Sequence, residues 1–395
     1  MKALNDNTHP LESLLKQHCP NGVEFKELGE VCETLPKGTL KTSQLTANGY
    51  PVINSGRDLY GYYSKFNNES NAFTIAARGE YAGFVNFMDS KFWAGGLCYP
   101  YRSNDENKLL TKFIYYHLKT NESNIMDSLV ARGSIPAINK KDIDKKLKIP
   151  IPPLEIQQKI VDILDAFTEL EAELEAELEA RLKQYHYYRN KLLSHDELEN
   201  RTAKSRNDSD PATLVPYVRL GEACEILDNL RKPITKSKRT QGIYPYYGAN
   251  GIQDYVNEYI FDGDFLLMGE DGSVINKDNS PVLNWVSGKF WVNNHAHILK
   301  EKSNTTNLRF VFFYLQTCDV SSIVRGVPPK INQQNLKTIQ IPLPPLAVQN
   351  EIVELLDKFD TLTNDLTSGI PAEIEARKKQ YEYYRERLLS FIAKD

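Results

Sequence analysis

Two periods of hydrophobic spacing alternate along this chain. From Pro152 to Ser194, apolar residues fall three and four apart: Ile160, Ile163, Leu164, Phe167, Leu170, Leu174, Leu178, Leu182, Tyr185, Tyr188 and Leu192. That spacing draws one stripe down a helix. After the Pro-Pro start the stretch has no Gly or Pro, and its residues are strong helix formers. A helix of this length spans ~60 Å, so its stripe calls for a long partner. The stretch repeats Glu-Leu-Glu-Ala three times, from Glu169 to Ala180.

The partner is predicted within the same chain. IPIPPLEIQQKIVDILDAF (149–167) matches IPLPPLAVQNEIVELLDKF (341–359) at 11 of 19 positions, offset by 192. EARLKQYHYYRNKLLS (179–194) matches EARKKQYEYYRERLLS (375–390) at 12 of 16, offset by 196. The second copy thus holds four extra residues, about one helical turn. It also contains Gly369 and Pro371, which predict a break near 369–371.

The stretches between these helices follow a different pattern. Short β-branched and aromatic runs alternate with Gly, Asn and Pro turns. VEFKELGEVCE (23–33) corresponds to VPYVRLGEACE (215–225), and FTIAARGEYAGFV (73–85) resembles FLLMGEDGSVI (265–275). KFW recurs at Lys91 and Lys289, and Arg-Gly followed by Ile-Asn recurs at Arg132 and Arg325. The whole chain is therefore a tandem repeat of α+β class: two pseudo-symmetric globular heads separated by a long two-helix coiled coil. The expected boundaries are an N-terminal arm at 1–21, a first head at 22–151 and a central helix at 152–195. A flexible polar linker at 196–213 follows, then a second head at 214–343 and a C-terminal helix at 344–395. Repeat symmetry and the length of the linker favour antiparallel pairing of the helices.

Charge changes the picture only once it is divided. The net charge of −4 argues against nucleic acid. Yet residues 22–150 hold 17 basic and 14 acidic side chains, and residues 212–345 hold 14 and 12. The excess of acid sits on the helices, with 11 against 5 in 154–198 and 10 against 7 in 346–395. Mildly basic heads permit nucleic-acid binding. Five scattered cysteines without CxxC spacing, and no leader or apolar span, point to a reduced, cytoplasmic protein outside the membrane. Cys32 and Cys224 fall at matching repeat positions and read as small buried residues.

Two similar but non-identical heads on a rigid spacer suit a duplex with two different half-sites at a fixed distance. The candidate DNA contacts in the first head are Arg57, Tyr60, Tyr62, Arg78, Lys91, Trp93, Arg102 and Arg132. In the second head they are Arg231, Lys232, Lys236, Lys238, Arg239, Tyr247, Asn250, Lys289, Trp291, Asn293, His295, Arg325 and Lys330. Arg and Lys suit guanine and phosphate, and Asn suits adenine. The spacer would be set by Glu169, Leu170, Leu174, Leu178 and Ala180. The candidate subunit-docking residues are Tyr185, Tyr187, Tyr188, Arg189, Tyr381, Tyr383, Tyr384 and Arg385.

The duplicated Pro-Pro-Leu-x-x-Gln-x-x-Ile-Val-x-x-Leu-Asp-x-Phe and Lys-Gln-Tyr-x-Tyr-Tyr-Arg-x-x-Leu-Leu-Ser resemble the specificity subunit of type I restriction–modification enzymes. The tetrads and residues 356–391 are similar to the IC-type subfamily, although its tetrads commonly read Thr-Ala-Glu-Leu. The resemblance implies a non-catalytic subunit whose heads are target recognition domains for a bipartite, asymmetric site on double-stranded DNA. It implies an antiparallel coiled coil as ruler, two docked modification (methyltransferase) subunits and further restriction/translocase subunits. S-adenosylmethionine, ATP and magnesium would lie on those partners. No cofactor, catalytic or metal residue is expected here, since methyltransferase, dinucleotide and P-loop motifs are missing. Asp262, Asp264, Glu270 and Asp271 read as an acidic turn, and His295 and His297 lack a third ligand. The rival reading is a coiled-coil adaptor whose heads bind proteins or glycans.

Overall fold

The computed structural model describes residues 17, 19–206, 215–302 and 304–391. Most of the predicted arm at 1–21 and the part of the linker from 207 to 213 lie outside them. The chain divides into two compact units, with the cuts inside helices at Glu175/Ala176 and Glu373/Ile374. Each unit therefore carries one head and its own portions of helix.

In the first unit, an antiparallel four-stranded sheet runs in the order Cys32–Thr34, Cys98–Ser103, Ala72–Ala76, Val85–Met88. A second sheet joins Gly61–Tyr63, Tyr50–Ile53 and Trp93–Ala94. The second unit repeats the four-stranded order with Cys224–Ile226, Ala296–Glu301, Phe265–Gly269 and Leu283–Val286. Its other sheet orders Gly251–Val256, Gln241–Gly248, Lys289–Val292 and Phe261–Asp262. The central strands AFTIA and FLLMG are buried along their whole length. Their alternation splits the two cores. Phe73 and Ile75 face a helix-side core with Phe113 and Ile114, while Ala72 faces Ile53 and Phe92. Leu266 and Met268 likewise join Phe310 and Phe313, and Phe265 and Leu267 join Phe290. Cys32 and Cys224 are buried at matching strand starts, and burial pushes the Cys224 thiol up to about 12.

A two-stranded ribbon closes each head where it meets its helix. Glu24–Glu27 pairs with Lys148–Ile151, and Tyr217–Arg219 pairs with Gln340–Pro342. The chain leaves each ribbon through the prolines into a helix. The first copy is one helix of 39 residues, Leu154–Leu192. The second is two helices, Leu346–Asn364 and Ile370–Leu388. The interruption is built by Asp365, whose carboxylate accepts hydrogen bonds from Ser368 and Thr367, which hold its pKa at about 2. A Cβ on Gly369 would collide with the carbonyl oxygens of Thr361, Leu362 and Asp365. Pro371 sits in the next first turn, where its missing N–H is tolerated.

Helix pairing is visible within each unit, through equivalent residues. In the first, Phe167 stacks on Tyr384 at 5.6 Å, and Lys378 bridges Glu171 and Glu175, each at 3.2 Å. These pairs run antiparallel, since the earlier residue of one helix meets the later residue of the other. In the second, Tyr188 stacks on Phe359, also at 5.6 Å. Lys112 pairs with Asp165 at 2.7 Å, and its counterpart Arg309 pairs with Asp357 at 2.7 Å.

The expected flexible linker is corrected in part: His195–Arg206 is helical. The reason is local. Ser194-x-x-Glu197 is a helix-start signature, and the Glu197 N–H donates to the Ser194 hydroxyl at 3.4 Å. Leu198 and Thr202 are buried, and Arg201 pairs with both Glu197 and Glu351. Low aromatic content concealed a helix that packs by one leucine and one arginine.

Candidate nucleic-acid interface

Each head is held to its helix by a buried glutamine. Gln157 accepts the Leu110 N–H at 2.8 Å and donates to the carbonyls of Lys108 at 2.9 Å and Pro152 at 2.7 Å. Gln349 accepts the Asn307 N–H at 2.8 Å and donates to those of Thr305 at 2.8 Å and Pro344 at 2.7 Å. Both side chains are fully enclosed. The amide is the one group that supplies an acceptor and two donors in this geometry. Both glutamines stand in the duplicated Pro-Pro-Leu-x-x-Gln, and that repetition is the sequence signal of their shared role. Gln157→Leu leaves three backbone groups unsatisfied and is expected to cost about 3–5 kcal/mol. Hydrogen exchange checks it: the Leu110 amide should lose its protection, and unchanged protection there refutes the clamp.

The first head sorts its candidates into exposed groups and structural ones. Tyr60, Tyr62 and Arg78 are exposed. Tyr60 shares a hydrogen bond with Thr42, and Arg57 lines an open cleft with Tyr62 and Asn86. Lys91 pairs with Glu69 at 3.2 Å and lies over Phe66. Arg132 pairs with Asp127 while both remain largely in water. Arg102 and Trp93 are corrected to structural roles. The Arg102 guanidinium donates to the carbonyls of Glu69, Ser70 and Asn71 and braces that turn. Trp93 meets Tyr63 edge-on at 5.1 Å and covers Gly38.

In the second head, the basic run splits in the same way. Lys232, Lys236 and Lys238 are exposed, as are Asn250, Lys289 and Arg325. Arg239 lies 4.2 Å over Tyr246, pairs with Asp254 at 3.1 Å and donates to the Ile234 carbonyl. Trp291 is buried and donates to the Lys232 carbonyl, which anchors the backbone of the run. Asn293 is buried between Gln253 and the His295 N–H. Tyr247 is half-buried, edge-on to Phe290. Arg239, Trp291 and Asn293 therefore shape the surface from beneath.

Arg231 belongs to a buried ionic network that spacing did not reveal. Its guanidinium pairs with Glu270 and lies 3.6 Å from Asp228. Asp228 also takes His297 Nδ1 at 2.7 Å, Gln333 at 3.1 Å and the Ile298 N–H at 3.2 Å. His297 Nε2 bonds the Ile331 carbonyl at 2.8 Å, so that nitrogen carries a proton. Lys330 reaches Glu270 at 3.0 Å. Burial pushes the Asp228 and Glu270 carboxyls up. The His297 and Arg231 hydrogen bonds outweigh it and hold both below the ordinary range. Asp228, Glu270 and His297 have the spacing of a metal triad, but a metal would have to displace the guanidinium already held there. Glu270 is thus a partner of cations rather than part of an acidic turn, and Asp271 pairs with His295.

The helices hold their tyrosines unequally. Tyr185 is buried, with its hydroxyl 3.3 Å from Gln316, and Arg189 donates to the same Gln316 at 2.7 Å. Tyr188 and Tyr384 stack on Phe359 and Phe167, Tyr381 also faces Phe167, and Arg385 lies over Tyr381. Tyr185, Arg189, Tyr381, Tyr384 and Arg385 are corrected to internal packing, while Tyr188 stacks on Phe359 and stays 37% exposed. Tyr187 and Tyr383, equivalent in the repeat, remain 61% and 53% exposed. Of the tetrad residues, Leu170, Leu174 and Leu178 are half-buried, while Glu169 and Ala180 are exposed.

Two copies of one α+β head, each clamped to a helix and each presenting a different polar surface, define a duplicated recognition subunit. The type I restriction modification DNA specificity domain matches residues 20–184 and 215–376, and the chain belongs to that family. It is a specificity subunit and non-catalytic. It is 31% identical to the EcoR124I/EcoR124II specificity subunit of Escherichia coli over 407 residues, covering 93% of this chain and 94% of that one. It is 44% identical over 181 residues to a type I restriction enzyme specificity subunit of Haemophilus influenzae, which spans 45% of this chain and 46% of that one. The type I system S subunit of Mycoplasma genitalium shares the fold, with a TM-score of 0.66 at 21% identity over 94% of this chain and 98% of that one. The adaptor reading falls away, since both heads lie within the DNA specificity family. No helix among the described residues is long and apolar enough to cross a membrane.

Proposed function

We propose that each head reads one half of a bipartite, asymmetric DNA site and that the paired helices set the spacer between the halves. The observation that carries this is the contrast between frame and surface. Sheet order, closing ribbon and glutamine clamp are the same in both heads. Beside the equivalent exposed pairs Lys91/Lys289 and Arg132/Arg325, the exposed residues differ: Tyr60, Tyr62 and Arg78 in one, and Lys232, Lys236, Lys238 and Asn250 in the other. One frame with two surfaces is what reading two different sequences requires. On this reading, two modification subunits dock on the helices, with Tyr187 and Tyr383 as equivalent contacts, and restriction/translocase subunits join them. S-adenosylmethionine, ATP and magnesium belong to those partners, and the assembly works in the cytoplasm. The tetrads support an IC-like assignment. Methylation mapping of DNA from cells carrying this chain and its modification subunit tests the proposal. A bipartite adenine motif that disappears when this chain is removed is expected; a motif that persists without it refutes the reading.

A further inference from the structure

The two heads share one feature that DNA reading by polar side chains leaves unused. Each carries a short hairpin with an apolar tip standing in water. In the first head, Val130–Ala131 pairs with Ala137–Ile138 around Arg132-Gly-Ser-Ile135-Pro136. In the second, Arg325 and Lys330 exchange backbone hydrogen bonds of 2.9 and 2.8 Å around Gly326-Val327-Pro328-Pro329. Ile135 is 53% exposed and Val327 fully exposed. A single exposed apolar residue is ordinary. Here the exposure recurs on the same tip of both repeats, at neighbouring positions, since Ile135 corresponds to Pro328 and Val327 to Ser134.

The bracing is equivalent bond by bond. The Gly79 N–H donates to the Pro136 carbonyl and the Gly272 N–H to the Pro329 carbonyl, both at 2.9 Å. The Ile138 N–H donates to the Ala77 carbonyl at 2.9 Å and the Ile331 N–H to the Glu270 carbonyl at 2.8 Å. Gly79 and Gly272 both have positive φ, +98° and +84°, and a Cβ on either would meet open space. The glycines are therefore required by the turn rather than by crowding. Each turn follows the central strand of its sheet and so ties the tip to the most buried element of the head.

Cations flank both tips. Arg78, bridged to Ala137, and Arg132 flank the tip of Ile135; Arg325 and Lys330, bridged to each other, flank the tip of Val327. The neighbouring acids are Glu80 and Asp127 in the first head and Glu270 and Asp271 in the second. Asp127 is paired with Arg132, Asp271 with His295, and Glu270 with Arg231 and Lys330. The Arg132–Asp127 pair is open to water, so exchanging its carboxylate for a phosphate costs little.

We infer that the two tips are wedges that enter a base step in each half-site. A rigid apolar side chain between cations can unstack a step, while the arginines and lysines hold the phosphates on either side. Ile135 does this in the first head and Val327, backed by Pro328, in the second. Specificity then includes the ease of unstacking a step that no polar group touches. The inference rests on the DNA-reading role proposed above.

The test uses the full chain assembled with its modification subunits and duplexes carrying the mapped motif. 2-Aminopurine replaces, in turn, each adenine of either strand in both half-sites other than the methylated one. With the unaltered chain, at least one position per half-site should brighten several-fold. Ile135→Ser should abolish brightening only in the half-site of the first head and Val327→Ser only in the other, each weakening binding about tenfold. Ile135→Leu should retain both signals. Steps that stay dark with the unaltered chain, or brightening that survives both serine variants, overturn the wedge. So does loss of the modification subunits from an Ile135→Ser or Val327→Ser complex on size-exclusion chromatography, which would make the tips protein contacts. A complex that binds no bipartite duplex defeats the DNA-reading role itself, a result distinct from binding with every step stacked.

Discussion

Deleting Glu173–Ala176 is expected to change the spacer of the recognised site by one to two base pairs and to leave both half-site sequences as they were. Four residues of helix amount to ~6 Å of rise and ~40° of rotation. One base pair of B-DNA supplies ~3.4 Å and ~35°, so the rotation matches about one step and the rise nearly two. The deletion is locally mild because the tetrads repeat. Glu179 moves into the place of Glu175, where Lys378 held it, and Leu178 moves into the place of Leu174. No residue of either sheet is touched. The cut between the two compact units falls inside this same tetrad. Methylation sequencing measures the outcome. An altered half-site, or an unaltered spacer, would remove the ruler role from the helix.

The second large effect is expected from Asp228→Asn. Asp228 has only 6% of its side chain exposed and faces His297 and Arg231. Breaking a buried network of this kind by removing one charge costs about 3–5 kcal/mol. The loss should appear as a lower melting temperature of the second unit and weaker recognition of its half-site, because Asp228 and Glu270 hold the start of the basic run through Arg231. The pH dependence follows from the depressed carboxyl. A group whose folded pKa lies below its unfolded value stabilises above the unfolded value, and that stability disappears as pH falls through the folded one. Asp228 is such a group. The gap in melting temperature between the unaltered chain and the variant should therefore be full at neutral pH and narrow below about pH 4. A gap that is equally wide at pH 3 would show that Asp228 acts through its shape and not its charge.

The first head uses different chemistry at the equivalent place. Tyr99 stands where His297 stands and also reaches the carbonyl of the paired isoleucine, Ile138, at 3.4 Å. Lys37 lies 4.5 Å over its ring. Uncharged Ala77 corresponds to Glu270, since the N–H of the next strand's isoleucine is bonded to each. The same backbone is thus supported by an aromatic and one cation in one head, and in the other by a histidine with four charged groups, Asp228, Glu270, Arg231 and Lys330. Acid should distinguish the two.

What the sequence determined alone was whatever depends on order and period. The tandem repeat, the α+β class, the helices and the break between Leu346–Asn364 and Ile370–Leu388 follow from spacing, from Gly369 and Pro371, and from two copies of one pattern. These are local or self-comparing properties, and one chain contains them in full. The helix His195–Arg206 was also legible, in Ser194-x-x-Glu197, but was masked by polar composition. Only the tertiary structure decided which polar residues face outward. An arginine has the same letter whether it meets solvent, as Arg325 does, or three carbonyls, as Arg102 does. Asp228 and Glu270 are 42 positions apart and Tyr185 and Gln316 131 apart, so no window along the chain contains either pair. Their contacts exist because sheet and helix packing bring distant segments together, and there desolvation turns a charge or hydroxyl from a surface group into a structural one.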